Sequence, residues 1–497
     1  MTVPDLRQAA RDRADGYGIC WYSRAGHTDL FPMVSEALLT RGRTAYTHFV
    51  CHNRLEAERL RDVHGQANVS VLGAALRDGV PGSGSVAARI RELERSYQDV
   101  PLVRCVWSEL FERRFDEEHL ARHVVGHYDF WERLLTTNPV DVLVSEMPSI
   151  LSTAIAWTVC RRLGVQFISF VDIAPLGDRM VLSGSWTAPA DFEGFETALS
   201  RPLDPASEAF GLAAAYLERA LTRPAKTVEV QRRLQDRIFE RPPVRLSRLL
   251  GMRGLIEREK KRRDDYLYSG WFGVLKAWSS VYARRRFHAM VNVFDRTRRN
   301  GDKRFFLLPL HQIGEWSNYS WMGLDYADPR TFIWKVSASL PLGYELYVKE
   351  HVAGFGERPI SFYRGIKSFR STRVIHPDEN TSSLVQRAEA VVTLGSSMGF
   401  EALLTGKPVI LLGEAWYRNC PGVHRATSPE QLAALMQDAR NLAVASREQK
   451  LSVLQALYAM SFEGYKVPDD RALTRDNVNR LATALLTRIE ERTQGTM

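Results

Sequence analysis

The sequence predicts an α/β protein made of two parallel-sheet domains, and three observations predict it. Its 497 residues exceed the ~250–300 at which one hydrophobic core stops growing. In both halves, apolar runs of strand length alternate with windows of helical period, the pattern of a parallel sheet covered by helices. Between the halves lies a basic stretch of helical pattern, closed by the turn signal Asn300-Gly301-Asp302. A content of 45% hydrophobic and 25% charged residues is ordinary for a globular chain.

The first half opens with YGICWYS (17–23), a strand run, then the loop Arg24-Ala25-Gly26-His27-Thr28. Leu30, Phe31, Val34, Ala37 and Leu38 follow at helical spacing. TAYTHFVC (44–51) and NRLEAERLRDV give a second strand and helix. VDVLVSE (140–146), a helix from Ile150 to Leu163 and VQFISFV (165–171) repeat the unit. Residues 187–300 read as helical additions to this first domain. From Arg223 to Arg299, 21 Lys/Arg face 8 Asp/Glu, so this stretch more than accounts for the net charge of +9. It contains REKKRRDD (258–265), ARRRFHAM (283–290) and interleaved aromatics. That composition suits an anionic lipid surface or acidic glycan, or a solvated helical face. No nucleic-acid recognition motif accompanies it.

The second half resumes more cleanly. RFFLLPL (304–310), YELYVKEH (344–351), TRVI (372–375), AVVTL (390–394) and PVILLG (408–413) read as strands. Helical windows lie near 329–340, 359–366, 381–389 and 397–405. The expected division is a first domain over 15–300, a second over 301–470, and a terminal helix over 471–497. Two α/β domains facing a cleft form the arrangement used by nucleotide-sugar transferases of the GT-B type, among other enzymes. No apolar run reaches the ~18 residues that span a bilayer, and the polar N-terminus has no secretory core. A cytoplasmic protein is expected, peripheral to the inner membrane through residues 223–299. The five cysteines are widely spaced, with no C-x-x-C pair, and four lie in apolar surroundings as small core residues.

Ligands of open parallel sheets bind beyond the carboxyl ends of the strands. In the second half the polar residues there are His311, Gln312 and Glu315; Lys349, Glu350 and His351; His376; Gly395, Ser396 and Ser397; and then Trp416 and Tyr417. A helix starting near Ser397 offers backbone N–H groups and a positive dipole end. With Gly395 allowing close approach and two hydroxyls beside it, this reads as a phosphate or diphosphate site. The alternative is a plain N-cap and tight turn. Glu401, one turn on, is placed for a ribose hydroxyl or as a first-turn acid. In the first half, Arg24, Gly26, His27 and Glu146 end strands on the cleft side and are acceptor-side candidates. Asp172 and Asp178 face the same way.

LLPLHQIGEW (307–316), LYVKEHVAGFGERPISFY (346–363) and GSSMGFEALLTGKPVILLGEAWY (395–417) resemble the bacterial capsule polysaccharide biosynthesis proteins, a group that includes β-Kdo transferases. The resemblance covers roughly 300–420 and implies a GT-B-type glycosyltransferase. It implies that His351, Ser396 and Ser397 hold the donor phosphate, that Glu401 is the acid of the donor-site helix, and that Glu315 is the catalytic carboxylate, with His311 beside it. Two departures stand out: Val352 follows His351 where relatives carry proline, and position 315 is Glu where the best-understood transferases have Asp.

The expected function is transfer of a sugar from a nucleotide-activated donor, CMP-linked and Kdo-like by resemblance, to a capsular polysaccharide or its lipid-linked precursor. Lys349 is a further phosphate-binding candidate. No cofactor or metal is called for, the nucleotide-sugar being a substrate. Rival expectations are a CDP-polyol phosphotransferase, a sugar-nucleotide epimerase, and a non-catalytic assembly or export component.

Overall fold

The computed structural model describes residues 16–23, 27–64, 68–78, 85–98, 100–107, 116–146, 150–173, 175–184, 194–222, 270–297, 303–311, 328–351, 354–467 and 469–494. Arg24, Gly26, Gln312, Glu315, Val352 and REKKRRDD lie outside the described residues.

Thirteen strands among these build two sheets. The first contains β1 (Tyr17–Tyr22), β2 (Thr44–Cys51), β3 (Asn68–Val71), β4 (Val142–Ser145), β5 (Gln166–Asp172) and β6 (Arg179–Ser183). The second contains β7 (Phe305–Pro309), β8 (Glu345–Lys349), β9 (Thr372–Ile375), β10 (Val391–Thr393), β11 (Val409–Leu411) and β12 (Val423–Arg425). A short β13 (Phe462–Glu463) returns to the first sheet.

The second sheet runs β12-β11-β10-β7-β8-β9, with every pair parallel. This is the doubly wound order, which reverses between β7 and β10. The first sheet runs β13-β6-β5-β4-β1-β2-β3 and reverses in the same way between β1 and β4. There, β6 and β13 are antiparallel additions at one edge. Strands β4, β7 and β8 are buried along their whole length. They therefore read as continuous apolar runs rather than alternating ones.

Helices cover both faces of each sheet. In the first lobe, His27–Thr40 and Arg475–Gln494 lie on one side, with Phe31, Val34, Leu481 and Leu485 in a shared core. Glu117–Thr137 and Leu151–Leu163 lie on the other. All five cysteines are buried, one more than the four read as core residues.

Packing draws the lobes differently from the boundaries expected at 300 and 470. Phe195–Leu199 and Glu208–Thr222 were expected on the first domain. They lie at the seam: Phe195, Ala213 and Leu217 share one core with Phe400, Leu403 and Leu454 and also with Val171, Ile173 and Val181 of the first lobe. Gly270–Met290 joins the second lobe: Arg285 Nε donates to Phe355 O at 2.6 Å. Just after it, Asp295 bridges to Ile375 as an extra edge pairing on β9. At the other end, the helix Arg447–Met460 packs in the second lobe, and β13 then pairs with β6. The chain thus crosses back near residue 461, before the expected 470. The apolar faces of the helices from 195 to 222 are buried between the lobes, a placement that sequence distance does not reveal.

Candidate functional site

The β7/β10 switch point is built from two strand ends and one helix start. Gly395 ends the run after β10 with φ +148°, and a Cβ there would lie 2.9 Å from Glu414 O. Only glycine fits. Gly413 is its counterpart in the turn after β11, where a Cβ would lie 2.1 Å from Leu394 O. The two turns therefore pack backbone against backbone, so a buried strand ends here in small residues. Gly399 is small for a similar reason: a Cβ there would meet Tyr417 Oη, and Tyr417 Oη donates to Ser396 O at 2.6 Å.

Thr393 organises this turn. Its Oγ1 accepts from Gly395 N at 3.1 Å and Ser396 N at 3.0 Å, and donates to Ser396 Oγ at 3.2 Å. Ser396 is the N-cap residue of the helix Ser397–Thr405, yet its side chain makes no capping bond. Elsewhere Asp116, Asp328, Asn380, Ser428 and Ser446 each cap their helix through the side chain. The plain N-cap reading of Ser396 therefore fails. Ser396 is half-buried and Ser397 exposed at the mouth. Thr393 was not singled out from the sequence, because it lies inside the strand run.

His311 and His351 each follow their strand by two residues, and the register pairs Pro309 with Lys349. The two histidines therefore leave neighbouring strands side by side, both half-buried. Behind them lies a buried ion pair, Glu350–Arg358, at 2.5 Å.

Lys349 is not in this mouth. Its side chain is buried, and Nζ donates to Pro377 O at 2.8 Å and Glu350 O at 3.4 Å. Burial lowers its pKa to about 8. The phosphate-binding expectation for Lys349 is thus corrected: as the last residue of a strand covered on both faces, it ties β8 to the loop after β9. Glu401 is half-buried and lies towards the helix Glu208–Thr222, where its charge helps raise the Tyr216 hydroxyl's pKa, after the larger effect of burial. Trp416 packs on Phe400 (4.7 Å) and on Phe195 (5.4 Å), again at the seam between lobes. His376 pairs with Asp378 and packs on Phe294 and Phe355, a loop-fixing role.

At the first sheet's switch point, His27 starts its helix with its ring on Phe31 at 4.9 Å, and half-buried Glu146 follows β4. Asp172 pairs with Lys466. Beneath them lies a cluster that sequence reasoning missed. Tyr22 Oη is 2.6 Å from both His52 Nε2 and Ser152 Oγ, and all three residues are buried. Among the described residues, no three His, Cys, Asp or Glu side chains converge as a metal cage. Nor is any described helix long and apolar enough to cross a membrane.

Residues 322–460 match the family described as capsule polysaccharide biosynthesis protein. The match covers under a third of the chain and includes two of the three motif stretches, 346–363 and 395–417. The resemblance read from its motifs is borne out there. No curated protein matches the chain. Among solved structures, the β-Kdo 2,4 transferase of Thermosulfurimonas dismutans KpsC is 16% identical, covering 64% of this chain and 79% of its own, with a TM-score of 0.29. The β-Kdo 2,7 transferase of the same KpsC is 13% identical over 75% and 97%, with a TM-score of 0.32. The UDP-GlcNAc 2-epimerase of Methanocaldococcus jannaschii, solved with UDP-GlcNAc and UDP, is 12% identical over 89% and 99%, with a TM-score of 0.29. Likenesses this distant do not say what this chain binds.

Proposed function

We propose that this protein is a GT-B-type glycosyltransferase of capsule polysaccharide synthesis, moving a sugar from a CMP-linked donor to a growing glycan or its lipid-linked precursor. The observation that carries this reading is the β7/β10 switch point. There a glycine turn, a serine pair and a helix start follow β10, while His311 and His351 follow the next two strands, β7 and β8, inside or beside the segment that matches the family.

Glycosyl transfer builds negative charge on the leaving phosphate, and fixed donors aimed at that charge lower the barrier. Ser396, Ser397 and the first-turn N–H groups of Ser397–Thr405 supply such donors with no metal required by the reading. His351 adds an imidazole from the end of β8, two strands from β10. The acceptor hydroxyl needs a base within hydrogen-bond reach. In this reading Glu315, whose position the family resemblance supplies, takes that role, with His311 beside it. Arg24, Gly26, His27 and Glu146 are the acceptor-side candidates of this reading.

The test is incubation of the purified protein with CMP-Kdo, with and without a capsular oligosaccharide acceptor. CMP released only when acceptor is present supports transfer. An intact donor under all conditions, or consumption without acceptor, contradicts it.

The protein meets an anionic membrane in this reading. Along the described part of Gly270–Met290, Tyr282, Arg286, Phe287 and Met290 are exposed on one face. Arg286 packs over the Tyr282 ring at 5.8 Å. Aromatic and cationic side chains on one helix face suit an interfacial mode. Arg286→Glu with Phe287→Ser should weaken binding to phosphatidylglycerol vesicles severalfold, since each basic residue contributes about 1 kcal/mol there. Unchanged cosedimentation would remove the membrane from the reading.

A further inference from the structure

The Glu350–Arg358 pair lies deeper than any group the transfer reading uses. Glu350 is 0% exposed and Arg358 5%. Buried ion pairs of this kind are weak contributors to stability, since desolvation offsets their attraction. What distinguishes this one is where its remaining hydrogen bonds go. Glu350 Oε1 accepts from His351 N at 2.7 Å as well as from Arg358 Nη1. Glu350 Oε2 accepts from Tyr363 Oη at 2.6 Å. Arg358 Nη2 donates to His311 O at 2.7 Å.

One ion pair thus holds the backbone of both histidines at the mouth, although they belong to different strands. The surroundings are shaped to admit it. Gly354 stands where a Cβ would lie 2.8 Å from Glu350 Oε1 and 2.9 Å from Arg358 Nη1. The Arg358 guanidinium stacks over Phe362 at 5.3 Å. Tyr363 is fully buried, and burial followed by the Glu350 charge raises its hydroxyl pKa, keeping it a donor.

We propose that Glu350 and Arg358 are positioning residues that set the His311 and His351 imidazoles side by side for the donor phosphate. The proposal rests on the donor-site reading above. Lysine at 358 keeps the charge but lacks the planar fork that reaches Glu350 and His311 O together.

The experiment labels histidine with 15N in the full chain and assigns the His311 and His351 ring signals with His311→Asn and His351→Asn. It then compares wild type with Arg358→Lys and measures CMP affinity by calorimetry. In Arg358→Lys, both ring titrations should move together while that of exposed His119 in the first lobe stays, and CMP should bind at least tenfold more weakly. A folded Arg358→Lys protein with both titrations and CMP affinity unchanged overturns the proposal. If that variant does not fold, Tyr363→Phe carries the test, because it removes one bond to Glu350 and leaves the ion pair. It should displace the same two signals and weaken CMP severalfold, and unmoved signals overturn the proposal. Wild type that binds no CMP counts against the donor reading instead, and the two ring titrations then decide the clamp alone.

Discussion

The two sheets reverse direction at equivalent places, yet their switch points are chemically opposite. In the first lobe the buried bonds run between side chains: the Tyr22 hydroxyl lies between His52 and Ser152. In the second, polar side chains satisfy backbone. Thr393 holds Gly395 and Ser396, Tyr417 holds Ser396, and the Glu350–Arg358 pair holds His311 and His351. The residues at that mouth therefore have fixed main chains from which imidazole and hydroxyl groups project. Preorganised donors of this kind suit a developing phosphate charge. A buried cluster bonded side chain to side chain suits a structural role. One topology thus carries two kinds of polar bonding, and the difference lies in what each buried polar group is bonded to.

Three experiments break or sharpen this contrast. The largest effect is expected at the glycines. Gly395→Ala forces a side chain onto φ +148° and against Glu414 O, which should destabilise by about 3 kcal/mol and abolish CMP binding. Gly164, at the end of the first-lobe helix Leu151–Leu163, also has positive φ but open space around its Cβ position. Gly164→Ala should cost about 1 kcal/mol and leave CMP affinity unchanged. Equal effects at the two sites, read by denaturant unfolding and calorimetry, would remove the distinction.

The pH dependence should differ between lobes. Burial lowers the pKa of His48 and His123 to about 4. Between the unfolded value of about 6.5 and pH 4, the unfolded chain binds more protons, so stability falls as pH drops through that window. Lys349 is lowered from 10.5 to about 8. Between pH 8 and 10.5 the unfolded chain again binds more protons, so this lysine makes stability rise with pH. His123→Asn should flatten the acid limb and Lys349→Met the alkaline rise. Unfolding midpoints across pH that ignore both substitutions would contradict the burial assignments.

The smallest expected effect is in the Tyr22 cluster. Tyr22→Phe removes the hydroxyl shared by His52 and Ser152 and should destabilise by about 1–2 kcal/mol without changing CMP affinity. A large loss of CMP binding would bring the first lobe into the donor site.

Much of this architecture was legible in the sequence. The quoted runs from YGICWYS to PVILLG each contain an observed strand, because both faces of the sheets are covered and the apolar runs are continuous. The strands β3, β6, β12 and β13 were not read, being short edge pieces of mixed pattern. The Gly395-Ser396-Ser397 turn was legible because three small residues closing an apolar strand run mark a tight, approachable stretch of backbone. Arg358 was not, because an ion pair eight residues apart across a loop follows no helical or strand period. Lys349 was misread for the converse reason: a charged residue at a strand end looks available until its burial is known. Helical segments could be recognised between 187 and 300, but not the lobe they pack on.

The central claim is that the serine pair at Ser396 and Ser397 is a phosphate site rather than a cap. The most direct test is calorimetric titration of CMP into wild type and into Ser396→Ala with Ser397→Ala. Each lost hydrogen bond to a charged group removes about 1.5–3 kcal/mol, so the account predicts affinity at least tenfold weaker. The melting temperature should barely change, since the Ser396 side chain makes no capping bond to the helix. Equal CMP affinity in the two proteins would contradict it.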